Sequence, residues 1–136
     1  MSELTRFFFR SPYPYQHRST LDVLRWWEAR RPTYNMAVGA AGTLTLSIAV
    51  GTELLLGNSL SGFPWPAILV YGILANICYS FGPLVDMYIC RKWGSQYDAI
   101  GPAIFRYGFV FAVGLTLLPI PFLLLASVIR LFSVVI

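Results

Sequence analysis

Three long apolar stretches, separated by short polar joints, make up most of this chain. They cover residues 36–56, 66–90 and 102–136. A helix rises about 1.5 Å per residue, so about 20 apolar residues are enough to cross the hydrocarbon core of a bilayer. The pattern therefore predicts an all-α integral membrane protein built as a three-helix bundle. The bundle covers residues 36–136, with predicted spans over residues 36–57, 65–90 and 102–130.

The third apolar stretch is too long for one straight span. Arg106 and Arg130 bracket an uncharged run of about 35 Å, which fits a bilayer with modest tilt. Pro119 and Pro121 lie inside that run, and proline kinks or ends a helix. We predict a single kinked span. The alternative ends the span near Pro119 and leaves residues 122–136 in the outer interface.

Residues 1–35 form a head that lacks the apolar core of a signal peptide. Within it, residues 10–18 interleave prolines with aromatic residues, which favours an extended, irregular path. Ser19 followed by Asp22 resembles a capping box and predicts a short amphipathic helix over residues 20–31. Because this helix carries two tryptophans and several arginines, we expect it to lie in the plane of the lipid headgroups.

Composition and charge agree with a membrane protein of fixed orientation. Hydrophobic residues make up 57% of the chain and charged residues 12%, well below the roughly 25% of soluble domains. Six arginines precede the first span, Arg91 and Lys92 lie in the second joint, and residues 57–65 hold no basic residue. Because basic joints stay in the cytoplasm, we predict a cytoplasmic N-terminus and an outside C-terminus, in a bacterial inner membrane. The net charge of +4 comes without a base-reading motif, so nucleic acid is not an expected partner.

Each predicted span carries one face of small or polar residues, which allow close helix packing in lipid. The residues of these faces are Gly39, Thr43, Ser47 and Gly51 in the first span, Gly72, Asn76 and Ser80 in the second, and Gly108, Ala112 and Thr116 in the third. One interpretation is that the three faces close the bundle. The other is that at least the first face docks on a different protein.

A few charged and aromatic residues have predicted structural roles near the membrane boundaries. Asp86 and Arg106 both fall near the inner boundary, joined by a short connection, and we predict that they form an ion pair. Tryptophan is enriched at membrane interfaces. The expected interfacial anchors are Trp26, Trp27, Trp65 and Trp93.

The sequence contains no recognisable catalytic set, phosphate-binding glycine loop or metal-binding spacing. Asn76, Cys78, Tyr79 and Ser80 form the polar cluster of the second span, for which hydrogen bonding between helices is the expected role. A quinone or pigment contact is the alternative there, and His17 is the one histidine that could touch a haem. We therefore predict no enzyme, no metal and no cofactor, with bound lipid expected.

These features favour a small accessory or structural subunit that packs against a larger membrane-protein complex and lipid. The partner could belong to respiratory, photosynthetic, secretory or motor machinery, and the sequence does not choose among them. The alternative is a small transporter or channel that forms its pathway from several copies, using Glu53, Asn76 and Asp86.

Overall fold

The computed structural model describes residues 3–9, 19–93 and 100–135. These residues form six α-helices and one short 3₁₀ turn, Leu60–Gly62, and they contain no β-strand. The helices are α1 (Glu3–Phe9), α2 (Thr20–Glu28), α3 (Arg31–Leu55), α4 (Trp65–Trp93), α5 (Ile100–Leu117) and α6 (Pro119–Val135). The predicted path of residues 10–18, including His17, lies outside the described residues.

Three helical stretches are long and apolar enough to cross a membrane, as predicted. They are α2 with α3, α4, and α5 with α6. Away from one buried core, the large apolar side chains point outward; Leu55 is 87% exposed and Val110 69% exposed. This is the pattern of a chain whose surroundings are lipid, because an apolar exterior on this scale is rare in soluble monomers.

The capping box predicted for the head helix is present. The Ser19 hydroxyl accepts a hydrogen bond from the Asp22 backbone N–H at 3.2 Å, and the Asp22 carboxylate accepts one from the Ser19 N–H at 3.2 Å. The helix ends at Glu28, earlier than the predicted residue 31. The reason is that Pro32 sits in the first turn of α3, where its missing N–H costs no hydrogen bond, so the chain starts a new helix there.

α2 and the start of α3 run antiparallel to the second half of α4. Trp27 bonds to Asp86, and further along the chain Tyr34 bonds to the carbonyl of Ala75. The residue numbers therefore rise along α2 and α3 while those of their partners fall along α4, which is the order expected of antiparallel helices. α2 is thus packed along α4 instead of lying apart from the helices that follow it.

α5 lies between α3 and α4 and contacts both. The Thr45 hydroxyl donates to the Thr116 carbonyl at 2.8 Å, which joins the middle of α3 to the end of α5. α6 then continues along the second half of α3, where Arg130 lies 3.7 Å from Glu53. The break at Leu118 therefore separates two helices of one stretch, and both of them follow α3.

Candidate docking face and buried aromatic core

The only large buried cluster among the described residues lies where α2, α3, α4 and α5 meet. It is mostly aromatic, because aromatic side chains fill the space between four helices with few residues. Its buried members are Val23, Trp26, Trp27, Tyr34, Tyr79 and Phe105. The phenyl ring of Phe105 is 2% exposed and lies within 6.5 Å of the rings of both tryptophans and of Tyr79.

Asp86 places a carboxylate inside this cluster. It is 2% exposed, and its Oδ2 accepts a hydrogen bond from the Trp27 indole N–H at 3.0 Å. Cys90 donates its S–H to Oδ1 across 3.6 Å. The carboxylate lies against Gly101, where a Cβ would overlap it. A residue with no side chain is therefore needed at that point for α5 to approach α4.

The predicted ion pair between Asp86 and Arg106 is wrong in this structure. The ion pairs among residues 3–9, 19–93 and 100–135 do not include it, and Trp27 takes the place of the predicted partner. The Arg106 guanidinium instead lies over the ring of Phe9, 4.2 Å from its centroid. α1 therefore covers the side of α5 from which Arg106 projects, and the arginine packs on an aromatic ring.

Two of the predicted interfacial anchors, Trp26 and Trp27, are core residues instead. They are 7% and 2% exposed, because α2 packs its apolar side on α4 and not on open lipid. Gly82 leaves room for the Trp27 ring, which a Cβ there would overlap. Trp65 and Trp93 are each 47% exposed, so their anchoring role stays a prediction.

Arg30 is a buried cation that the sequence analysis treated only as a topology signal. It is 9% exposed and donates to the Phe7 carbonyl at 2.9 and 3.2 Å and to the Trp26 carbonyl at 3.0 Å. Its guanidinium also stacks 3.7 Å from the Trp26 ring centroid. The spacing of Trp26 and Arg30, one helical turn apart, was the available signal, because residues four apart share a helix face.

The small-residue face of the first span points away from the core. Gly39, Thr43 and Ser47 are exposed, and a Cβ at Gly39 would meet nothing within 4 Å. The side of α3 that packs on α5 carries Ala41 and Thr45. Gly39 and Ala41 are two residues apart, which places them about 200° apart around the helix. This face therefore takes no part in closing the bundle.

The small-residue faces of the second and third spans take part in helix packing at some of their positions only. Thr116 is buried, 6% exposed, and its hydroxyl bonds to that of Tyr71 at 2.7 Å, while Ala112 packs against the aromatic core. Gly72 and Gly108 face open space, with nothing within 4 Å of a Cβ built on either.

The polar cluster of the second span divides between two kinds of hydrogen bond. Asn76 donates to the carbonyl of Gly72 in its own helix. Tyr79 donates to the Trp27 carbonyl at 2.6 Å, and Ser80 contacts the Arg31 guanidinium at 3.3 Å. Tyr79 and Ser80 therefore join α4 to α2 and α3.

The three residues of the predicted transport route have separate partners. Glu53 accepts a hydrogen bond from the Asn58 amide at 2.7 Å and lies near Arg130. It is at the end of α3, whereas Asp86 packs near the beginning of α3. Asn76 forms no hydrogen bond with Glu53 or with Asp86. Within one chain these side chains do not form a continuous polar path, so the route stays a prediction that requires several copies.

Asp86, Tyr79 and Arg30 of the core are thus engaged in holding helices together, whereas the buried indole N–H of Trp26 has no hydrogen-bond partner in the part of the chain that the structure describes. Among the described residues no group of three His, Cys, Asp or Glu side chains could hold a metal ion. No protein-family model, curated protein or solved structure matches the chain. The surface with the clearest geometry for contact with another molecule is the outward face of α3.

Proposed function

We propose that this protein is a small accessory subunit of a larger membrane assembly, and that it docks through the outward face of α3. One observation carries the proposal: Gly39, Thr43 and Ser47 line up on the side of α3 opposite the core and are exposed. The proposed partner is a transmembrane helix of another membrane protein. The chain itself supplies shape and contacts, not chemistry.

The physics of helix association in lipid supports this face as a docking surface. Lipid tails are as apolar as leucine, so helices associate through close packing and hydrogen bonds, and small residues let two backbones approach. The hydroxyls of Thr43 and Ser47 already donate to carbonyls of their own helix, at 2.9 and 2.8 Å. An approaching helix therefore need not satisfy them, and Gly39 and Gly51 leave its path open.

The proposal includes an orientation. Seven of the eight basic residues of the described chain gather at one end of the molecule, and that end is proposed to face the cytoplasm, while Arg130 lies beside Glu53 at the other end. The seven are Arg6, Arg25, Arg30, Arg31, Arg91, Lys92 and Arg106. In this arrangement α2 lies near the level of the inner headgroups while it packs on α4, and the exposed Trp65 and Trp93 serve as interfacial anchors.

Site-specific photo-crosslinking in native membranes tests the docking face. A photoreactive residue at Thr43 is expected to crosslink to a second protein. The same residue at Val110, which is exposed on α5, is expected to crosslink mainly to lipid. A crosslink from Thr43 to another copy of this chain would instead favour the homo-oligomeric transporter, which liposome flux with Glu53, Asn76 and Asp86 replaced would then examine.

Two substitutions on the face provide the matched test. Gly39→Leu together with Ser47→Leu fills the face, and the amount of co-purified partner is expected to fall at least tenfold. Gly114→Leu, also at a glycine with open space around it, is the control and is expected to leave the partner bound. Purification of the native protein as a free 15.3 kDa species, with no companion, would overturn the proposal.

A further inference from the structure

A cleft runs along the outside of the molecule between α4 and α5. It has a volume of about 480 Å³, and Trp27, Tyr79 and Phe105 lie at its base. Its walls include Phe81 and Val85 on α4. Trp27 of α2 contributes to this cleft, but no residue of the α3 docking face lines it.

The chemistry of the lining selects an apolar occupant. No charged side chain lines the cleft. The hydroxyls of its three tyrosines are already engaged, Tyr34 with the Ala75 carbonyl, Tyr71 with Thr116 and Tyr79 with the Trp27 carbonyl. A polar molecule would therefore find little hydrogen bonding there, whereas a hydrocarbon chain would replace lipid or water at no polar cost.

The length of the cleft matches one leaflet. It reaches from Val85 to Tyr71 along α4, which is about 21 Å of helix. Half of a bilayer of about 40–45 Å, with the headgroup regions included, is about 21 Å. A single acyl chain, entering from the Val85 end, fits along the cleft with its carbonyl end toward the basic end of the molecule.

Lys92 places a positive charge beyond the Val85 end of the cleft. Lys92 follows Val85 by seven residues, two helical turns on the same side of α4. Its ammonium lies 4.5 Å from the Trp93 ring centroid and 5.9 Å from that of Tyr88. Arg91, one residue earlier, instead lines a different hollow beside Thr20 of α2. A lysine flanked by aromatic rings suits a phosphate headgroup at the membrane interface.

From these observations we infer that the α4–α5 cleft binds one acyl chain of an anionic phospholipid whose headgroup sits at Lys92. The site is independent of the proposed docking on α3. Cys78 lies in the cleft wall and is exposed, so a bound lipid shields it. Cys90, which lies against Asp86, serves as the internal control.

The test measures how fast a small maleimide alkylates each cysteine in delipidated protein held in mild detergent. Phosphatidylglycerol is expected to slow the reaction of Cys78 about fivefold more than phosphatidylcholine does, the factor that one basic residue near a headgroup provides. The rate at Cys90 is expected to stay the same. Equal slowing by the two lipids, or no slowing, overturns the inference.

Two variants locate the charge. Lys92→Gln is expected to abolish the preference for phosphatidylglycerol, and Arg91→Gln, which removes the same charge from the other side of the helix, is expected to keep it. Equal loss in both would point to general surface attraction and overturn the site. If Lys92→Gln does not fold, native mass spectrometry of the unmodified protein from mixed vesicles decides: retention of phosphatidylglycerol over phosphatidylcholine supports the site, and equal retention overturns it.

Discussion

Two ionisable side chains, Asp86 and Arg30, are buried in the aromatic core without pairing with an opposite charge. A buried charge is costly unless hydrogen bonds replace its water. Asp86 receives the indole N–H of Trp27, and Arg30 donates to the carbonyls of Phe7 and Trp26 while stacking on an aromatic ring. Asp86 therefore joins α4 to α2, and Arg30 joins the start of α3 to α1, in each case by a hydrogen bond to an uncharged group.

Substitutions at Asp86 distinguish the contribution of its hydrogen bond to stability from the contribution of its charge. Asp86→Leu leaves the buried Trp27 N–H without an acceptor, and the free energy of unfolding is expected to fall by about 1–3 kcal/mol. Asp86→Asn keeps a side-chain oxygen for that N–H and removes a buried charge, so its cost is expected to be smaller. The measurement is unfolding by SDS in mixed micelles, followed by circular dichroism.

Trp27→Phe provides the partner control for this prediction. It removes the donor and keeps an aromatic ring in the core, so the difference between Asp86→Leu and Asp86→Asn is expected to shrink in that background. If Asp86→Asn destabilises as much as Asp86→Leu in the native background, the carboxylate charge matters and the assignment to the hydrogen bond is wrong.

At the scale of elements, the sequence was sufficient wherever one local signal decided the outcome. The three apolar lengths predicted the three helical stretches, and Ser19 with Asp22 predicted the start of α2. The end of α2 was missed because Pro32 acts as the beginning of α3, a choice that a proline alone does not reveal.

The pairing of side chains from distant parts of the chain was not available from the sequence. Asp86 and Arg106 were matched by charge and by predicted depth, but rotation of each helix about its axis decides which side chains meet. That rotation is set by close approaches such as that of Trp27 to Gly82, which join residues far apart in sequence. For the same reason the direction of the Gly39 face became clear only from the packing of α3 on α5.

Arg30 ties α1 to the bundle by hydrogen bonds, beside the ring contacts of Phe7 and Phe8 with α5. Its guanidinium bonds twice to the Phe7 carbonyl, a planar geometry that lysine does not reproduce. Arg30→Lys is therefore expected to loosen α1, seen as faster motion of a spin label at Glu3→Cys in a background without the two native cysteines. Electron paramagnetic resonance measures this motion.

Arg31→Lys is the matched control for α1. Arg31 is the neighbouring arginine, and it bonds to Glu28 and Ser80 and not to α1. Its substitution is expected to leave the label unchanged. Equal mobility in both variants would mean that the aromatic contacts of Phe7 and Phe8 alone hold α1 in place.

The described part of the molecule has a basic, well-packed end and a more apolar end, which holds the Glu53–Arg130 pair and is largely open to its surroundings. The buried core is at the charged end, where α1, α2, the second half of α4 and the start of α5 meet. At the other end α6 is exposed along most of its length, with Phe122 65% and Phe132 65% exposed. The proposed contacts with lipid and with a partner therefore lie along helices that are joined to one another at the basic end.

This asymmetry leads to a prediction about topology, because basic residues resist translocation across the membrane. Single cysteines at Glu3, Ser59 and Ser133, each in a background without native cysteines, report the position of the head, the first joint and the tail. In intact bacterial spheroplasts an impermeant maleimide is expected to label Ser59→Cys and Ser133→Cys but not Glu3→Cys. Glu3→Cys is expected to react only after the membrane is permeabilised, which also shows that the site is chemically accessible. Labelling of Glu3→Cys and Ser133→Cys from the same side would require an even number of crossings and would overturn the three-span topology.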